Sequence, residues 1–200
     1  MTNTQQPMNL IQLWWTAMVH PSRAFEEVRK KPAPLWAFQV LLVFNLLISL
    51  TTNLARVLSG GKVLLPSWLT FLPDDRYLFA QLFFLPLLRM ASWLLGSAII
   101  HLGIRISGRP GDFDRVLQVG GVQYLVVMPY TFLVDWTTLA FGIYGIGLIG
   151  IVHGGVDLVW SLTLQTIGLR VLVGLDTKLA LGLSVISEAV TLPLLALLAR

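Results

Sequence analysis

Cysteine is absent from the chain. That excludes disulfides and thiolate-held metals, and it removes redox chemistry as a guide to compartment. Charge is scarce as well. Only 12% of the residues are Asp, Glu, Lys or Arg while 56% are hydrophobic, against about 25% charged in an ordinary soluble domain. The opening residues, MTNTQQPMNLIQ, carry neither a basic n-region nor a cleavage site, so no signal peptide is expected. Catalytic signatures are missing too. There is no His-Glu-x-x-His, no Gly-x-Ser-x-Gly and no aspartyl pair of the intramembrane-protease type, and His20, His101 and His153 fall in separate segments. The glycine-rich stretch from Ser107 to Arg115 lacks Walker spacing and a following Lys-Ser/Thr, so it is not a phosphate loop. Basic and aromatic residues do not interleave on a polar surface, which excludes nucleic acid as a partner. Neither enzymatic activity, nor a cofactor, nor a resident metal is expected.

What the chain does have is long apolar runs. A spanning helix needs about 20 mostly apolar residues to cross a core roughly 30 Å thick. Five runs qualify, near Leu35–Ala55, Leu78–Ile106, Val116–Phe141, Ile146–Val173 and Leu179–Ala199. Leu, Ile and Val run on without polar alternation, so a barrel of short strands is excluded. The fold class is therefore an all-α, polytopic transmembrane helix bundle. Residues 1–34 form an amphipathic interfacial segment and residues 35–200 the five-helix membrane domain.

The basic residues are unevenly shared between the two sides. Arg23, Arg29, Lys30, Lys31, Arg105, Arg109, Arg115, Arg170 and Lys178 fall on one side, while Arg56, Lys62, Arg76 and Arg200 fall on the other. The positive-inside rule then places the N-terminus in the cytosol and the C-terminus outside the plasma membrane. In residues 9–20, Leu10, Trp14 and Met18 recur every fourth position, as do Ile11, Trp15 and Val19, with Asn9, Gln12 and Thr16 opposite. Such a helix suits the membrane interface, with Trp14 and Trp15 as anchors. Packing on the protein's own surface is the plainer alternative. Trp68 and Trp136 are expected at the outer interface. Asp112 stands where the cap of the third span should be. Glycines crowd the third and fourth spans, at Gly120, Gly121, Gly147, Gly150, Gly154 and Gly155 among others, and predict close helix crossings.

Charge inside an apolar run is costly, and four runs carry it: Arg89, Asp135, Asp157 and Glu188. At a rise of about 1.5 Å per residue, Arg89, Asp157 and Glu188 each lie roughly 15–17 Å from their entry surfaces, near the midplane. Asp135 falls nearer the outer interface and is set apart. His153, Asp157, Ser161 and Gln165 follow one another every four residues and share one helix face. The expected seam joins spans two, four and five, with Arg89, His153, Asp157, Ser161 and Glu188 as candidate binding residues. Two readings compete. Either Arg89 pairs with Asp157 or Glu188 and staples the helices, or the seam is a path for an ion or polar solute. His153 and Asp157 have metal-ligand spacing but no evident third ligand.

The chain resembles the Yip1-domain family of small five-span membrane proteins. The resemblance rests on His20-Pro21-Ser22-Arg23-Ala24-Phe25 running to Lys31-Pro32. It continues with Ile104 to Phe113 leading to Tyr124 and Pro129, with Trp160-Ser161-Leu162 to Ile167-Gly168-Leu169-Arg170, and with Gly174 to Ala180. The resemblance implies a cytosolic N-terminus, five helices and no catalytic residues. It also implies a role in organising or remodelling membranes or membrane traffic, as in the Rab-associated eukaryotic members. A small transporter or channel using the seam is the alternative. Membrane lipids are the expected partners, with homo-oligomers as a second association.

Overall fold

The computed structural model describes residues 8–31, 33–61 and 71–198. Every regular element among them is helical. Two short helices come first, α1 (Leu10–Val19) and α2 (Pro21–Arg29). Asn9 caps α1 reciprocally with Gln12. Its side-chain oxygen accepts from the Gln12 amide at 2.9 Å, and its own amide donates to the Gln12 side chain at 3.1 Å. Pro21 opens α2, where a missing N–H costs nothing.

Among the described residues, five helices are long and apolar enough to cross a membrane: span one Leu35–Leu58, span two Arg76–Ile106, span three Phe113–Ala140, span four Val152–Val173 and span five Thr177–Leu195. The caps explain where two of them start. Asp112 accepts from the Arg115 amide at 3.2 Å and opens span three, while Asp176 accepts from the Leu179 amide at 3.0 Å and opens span five two residues before its hydropathy rises. Pro86, Pro129 and Pro193 sit within helices that continue past them. Span one widens into a π turn at Ser49–Asn53, and span four does so at Val152–Asp157 and Leu169–Val173.

Spans two, five, four and three pack each on the next and enclose a common interior. Span one lies outside this ring against spans two and three. Lipid tails are as apolar as leucine, so close packing and hydrogen bonds, not burial from water, hold such helices together. A Cβ at Gly96 would meet Ser187 Oγ at 2.8 Å, which shows how tightly spans two and five approach. The close crossings expected along span four do not form at its first glycines. Gly147, Gly150, Gly154 and Gly155 have nothing within 4 Å of where a Cβ would be.

The α1–α2 segment packs on spans three and four. Phe25, fully buried, lies against Gly168 and Val119, and a Cβ at Gly168 would meet its ring at 2.7 Å. Leu13 and Ala17 of α1 are also fully buried. The basic residues meet at one end of the bundle. There Arg115 and Gln118 both donate to the Lys31 carbonyl at 3.2 Å, and Arg109 reaches the Gly174 carbonyl at 3.2 Å and Asp176 at 3.1 Å.

Candidate functional site

The ring of four spans holds a chamber lined by both polar and apolar side chains. Its far end, away from the basic residues, is built on the π turn Val152–Asp157. His153 Nδ1 lies 2.6 Å from Asp157 Oδ2, and His153 Nε2 lies 3.0 Å from Asp135 Oδ1. An ionised carboxylate can only accept, so two contacts require two protons among these three groups. An imidazolium between two carboxylates fills both. Thr131 adds a third tie, its hydroxyl donating to Asp157 Oδ2 at 3.0 Å. Asp135, although it lies toward the far end of its span, does not stand apart from the other embedded charges. It is buried and bound to the fourth span through His153.

At mid-height a cavity of about 170 Å³ is lined by Arg89, Gln123, Tyr124, Thr131, His153, Asp157, Ser161 and Glu188, with Val127, Met128, Leu158, Leu192 and Leu195. All five candidate binding residues thus face one space. They do not form the expected ion pair. Among the described residues Arg89 has no carboxylate within 4 Å. Its polar contact is the weakly accepting sulfur of Met128, 3.8 Å from Nη1. Equal depth fixes height in a bundle and not direction, and the nearby carboxylates are engaged elsewhere. Glu188 Oε1 accepts from Gln123 Nε2 at 3.2 Å, and Gln123 Oε1 accepts from Gln165 Nε2 at 3.2 Å. Asp157 Oδ1 is buried without a donor among the described residues.

A second cavity, about 60 Å³, continues toward the basic end between Ser92, Gly96, Ser97, Gln165, Ser187 and Thr191. The two cavities share Gln123, Tyr124, Glu188 and Leu195 as walls. A third, about 130 Å³ and mostly apolar, lies on the other flank of Asp157 among Met18, Val126, Val127, Tyr130, Val156 and Trp160.

Span three contributes more than expected. Gln123, Tyr124 and Thr131 line a chamber that the sequence places between spans two, four and five alone, and Asp135 holds its His153 from behind. Span one adds a buried polar stripe, Asn45, Ser49, Thr52, Asn53 and Arg56. Its 4-3-1-3 spacing is a helix-face signal already present in the sequence. Arg56 lies over the Tyr144 ring, 4.8 Å from its centroid. Burial pushes the Tyr144 phenol up; Asp135 adds to this and the Arg56 and Arg89 guanidiniums oppose it. At the basic end, burial pulls the Lys31 amine down, and Lys31 lies 5.1 Å from the centroid of the Trp36 ring. The Leu179 amide, and after it Arg109, holds the exposed Asp176 carboxyl below the usual range.

The tryptophans divide. Trp15 is 60% exposed, together with Ile11 and Val19, and faces outward. Trp14 packs on the bundle core, so the two do not share one exposed face. Trp136 donates to Thr51 at 3.4 Å, tying span three to the π turn of span one. Trp68 lies outside the described residues. Among the described residues, no group of three or more His, Cys, Asp or Glu is placed to hold a metal ion.

Five apolar spans, four of them around the chamber, define a polytopic helical membrane protein. The family model of the Yip1 domain matches residues 15–199, and the chain belongs to that family, whose members are non-catalytic. No curated protein and no solved structure matches the chain.

Proposed function

We propose that this Yip1-domain protein is a small transporter or channel, and that the chamber between spans two to five is its path for a polar solute or ion. One observation carries this reading. A cavity of about 170 Å³ reaches Arg89, Asp157 and Glu188, and Arg89 enters it without an ion pair among the described residues. A staple would be dry and fully paired. The second cavity extends the polar lining from Glu188 toward the basic end. The nine basic residues collected on that side support a cytosolic basic end in the plasma membrane, with the C-terminus outside.

The test is reconstitution into liposomes, with uptake and solute-evoked current measured over a panel of small anions, cations and zwitterions. Wild-type protein should move at least one of them, and Glu188→Gln and Asp157→Asn should abolish that flux while the protein stays folded. Flux no higher than in protein-free liposomes would end the transport reading. A second reading, bilayer organisation, is favoured by the outward apolar face of α1, with Ile11, Trp15 and Val19 exposed. It predicts that the same preparation reshapes vesicles without moving solute. Trp15→Ser would weaken that effect and Glu188→Gln would not.

A further inference from the structure

The chamber holds both signs of charge, and its open valences differ from wall to wall. Arg89 brings five N–H donors, and among the described residues they meet only the Met128 sulfur. An uncompensated cation at this depth is costly. Across the same cavity, Glu188 receives a single described hydrogen bond, from Gln123. Asp157 uses Oδ2 for both His153 and Thr131, which leaves Oδ1 without a donor among the described residues. The cavity therefore offers an unfilled cation on span two and under-filled carboxylates on spans four and five.

Charge balance narrows the class of ligand. Among the side chains that line the cavity, the carboxylates of Asp157 and Glu188 stand against Arg89 and His153. With His153 as the imidazolium that its two contacts accommodate, carboxylates and cations are equal in number. A ligand with net charge would leave one charge unmatched in a low-dielectric site, whereas a neutral ligand carrying both charges would not. Size agrees. One water needs only about 10–15 Å³ of such space, and the cavity offers about 170 Å³.

We infer that the cavity is a binding site for a zwitterion, with the ligand's anionic group on Arg89 and its ammonium on Glu188 and Asp157. Guanidinium presents a planar fork to carboxylate or phosphate oxygens. The carboxylates opposite accept from an ammonium. Ser161, Thr131 and Tyr124 supply neutral hydrogen-bonding groups between them. The apolar cavity among Met18, Val126, Tyr130, Val156 and Trp160, on the far flank of Asp157, gives the ligand an apolar neighbour reaching toward α1. The same chemistry belongs to a free small zwitterion and to an ethanolamine phospholipid headgroup. The inference builds on the chamber being a ligand site, as the transport reading has it, but needs binding alone.

The test uses the full chain in detergent. Thermal unfolding and equilibrium dialysis are followed with four probes: glycerophosphoethanolamine, a short-chain phosphatidylethanolamine, inorganic phosphate and ethylamine. At least one of the first two should bind at least tenfold more tightly than either single-charge probe. Binding of glycerophosphoethanolamine identifies a solute as the source; binding of the lipid alone identifies the headgroup. Arg89→Gln and Glu188→Gln should each weaken that binding at least tenfold, while Lys178→Ala at the basic end should not. The proposal is overturned if neither zwitterionic probe binds, or if phosphate or ethylamine binds as tightly. Because these comparisons use wild-type protein, they stand even if a variant misfolds. Zwitterion binding without uptake in liposomes would retain this inference and remove the transport reading. Glu188-dependent flux of a singly charged solute, with no zwitterion bound, would do the reverse.

Discussion

The His153 trio makes a quantitative prediction. His153→Leu deletes both contacts, at 2.6 and 3.0 Å, and strands Asp135 and Asp157, whose side chains are 8% and 12% exposed. Removing one partner of a buried ion pair costs about 3–5 kcal/mol, because the other charge is left uncompensated. Two features hold the loss toward the lower end. A stranded carboxylate can take up a proton and neutralise itself, and Asp157 keeps the Thr131 hydroxyl at 3.0 Å. For a chain of this size about 1 kcal/mol corresponds to roughly 2–4 °C in Tm, so the expected fall is on the order of 10 °C. Adding Asp135→Asn to His153→Leu removes one stranded carboxylate and should recover about half of it. Asp135→Asn alone keeps an oxygen for His153 Nε2 and should cost only about 1 kcal/mol. The seven tryptophans allow fluorescence melting curves on purified protein in one detergent. A His153→Leu melt within about 2 °C of wild type, or a double variant no more stable than the single, would refute the reasoning.

The remaining predictions contrast with that one. Arg89→Leu removes a guanidinium that lacks an ion pair among the described residues, so its melting temperature should equal or exceed wild type; a fall as large as that of His153→Leu would mean that Arg89 is structural after all. Asp176 is held ionised by the Leu179 amide and Arg109, and its depressed carboxyl stabilises the fold above the unfolded aspartate value of about 3.9. The stability gap between wild type and Asp176→Asn should therefore be full at neutral pH and shrink as pH falls below that value, as measured by melting curves at a series of pH values.

The five spans were legible because their signal is composition over about 20 residues, which side-chain geometry cannot overturn. The mid-height grouping of Arg89, Asp157 and Glu188 was legible for a related reason. Helical rise is constant, so counting residues gives depth. The place of Asp135 was lost to the end from which depth was counted. Measured from the far end, Asp135 lies six residues in from Phe141 and His153 seven in from Ile146, which is about the same height. The pairing of Arg89 was not legible, since depth carries no information on which way a side chain points around the bundle. The polar stripe on span one was legible and passed over. Only Arg56 in it is charged, and that residue falls just beyond the expected end of the span. In α1, Leu13 and Ala17 are the buried positions, because the bundle covers one narrow strip of the helix and leaves the broader apolar arc, with Ile11 and Trp15, facing outward.

Staple and pathway are opposed readings of one site, but the pairing of its polar groups differs along the chamber's height. At the far end every ring nitrogen and two carboxylates are matched at 3.0 Å or less, and that contact ties span three to span four. At mid-height the partners run out: Arg89 faces a sulfur, and Asp157 Oδ1 faces no donor. Asp157 belongs to both halves, one oxygen committed to the staple and the other uncommitted. A ligand that engaged Asp157 would therefore act on the same carboxylate that orients His153. Binding and the span three–span four tie are then coupled through one side chain, and by linkage any ligand preference for one arrangement of that tie must shift its population. Arg89 has no such connection. A ligand held by Arg89 alone would leave that tie untouched, whereas one held by Asp157 Oδ1 would share a carboxylate with it.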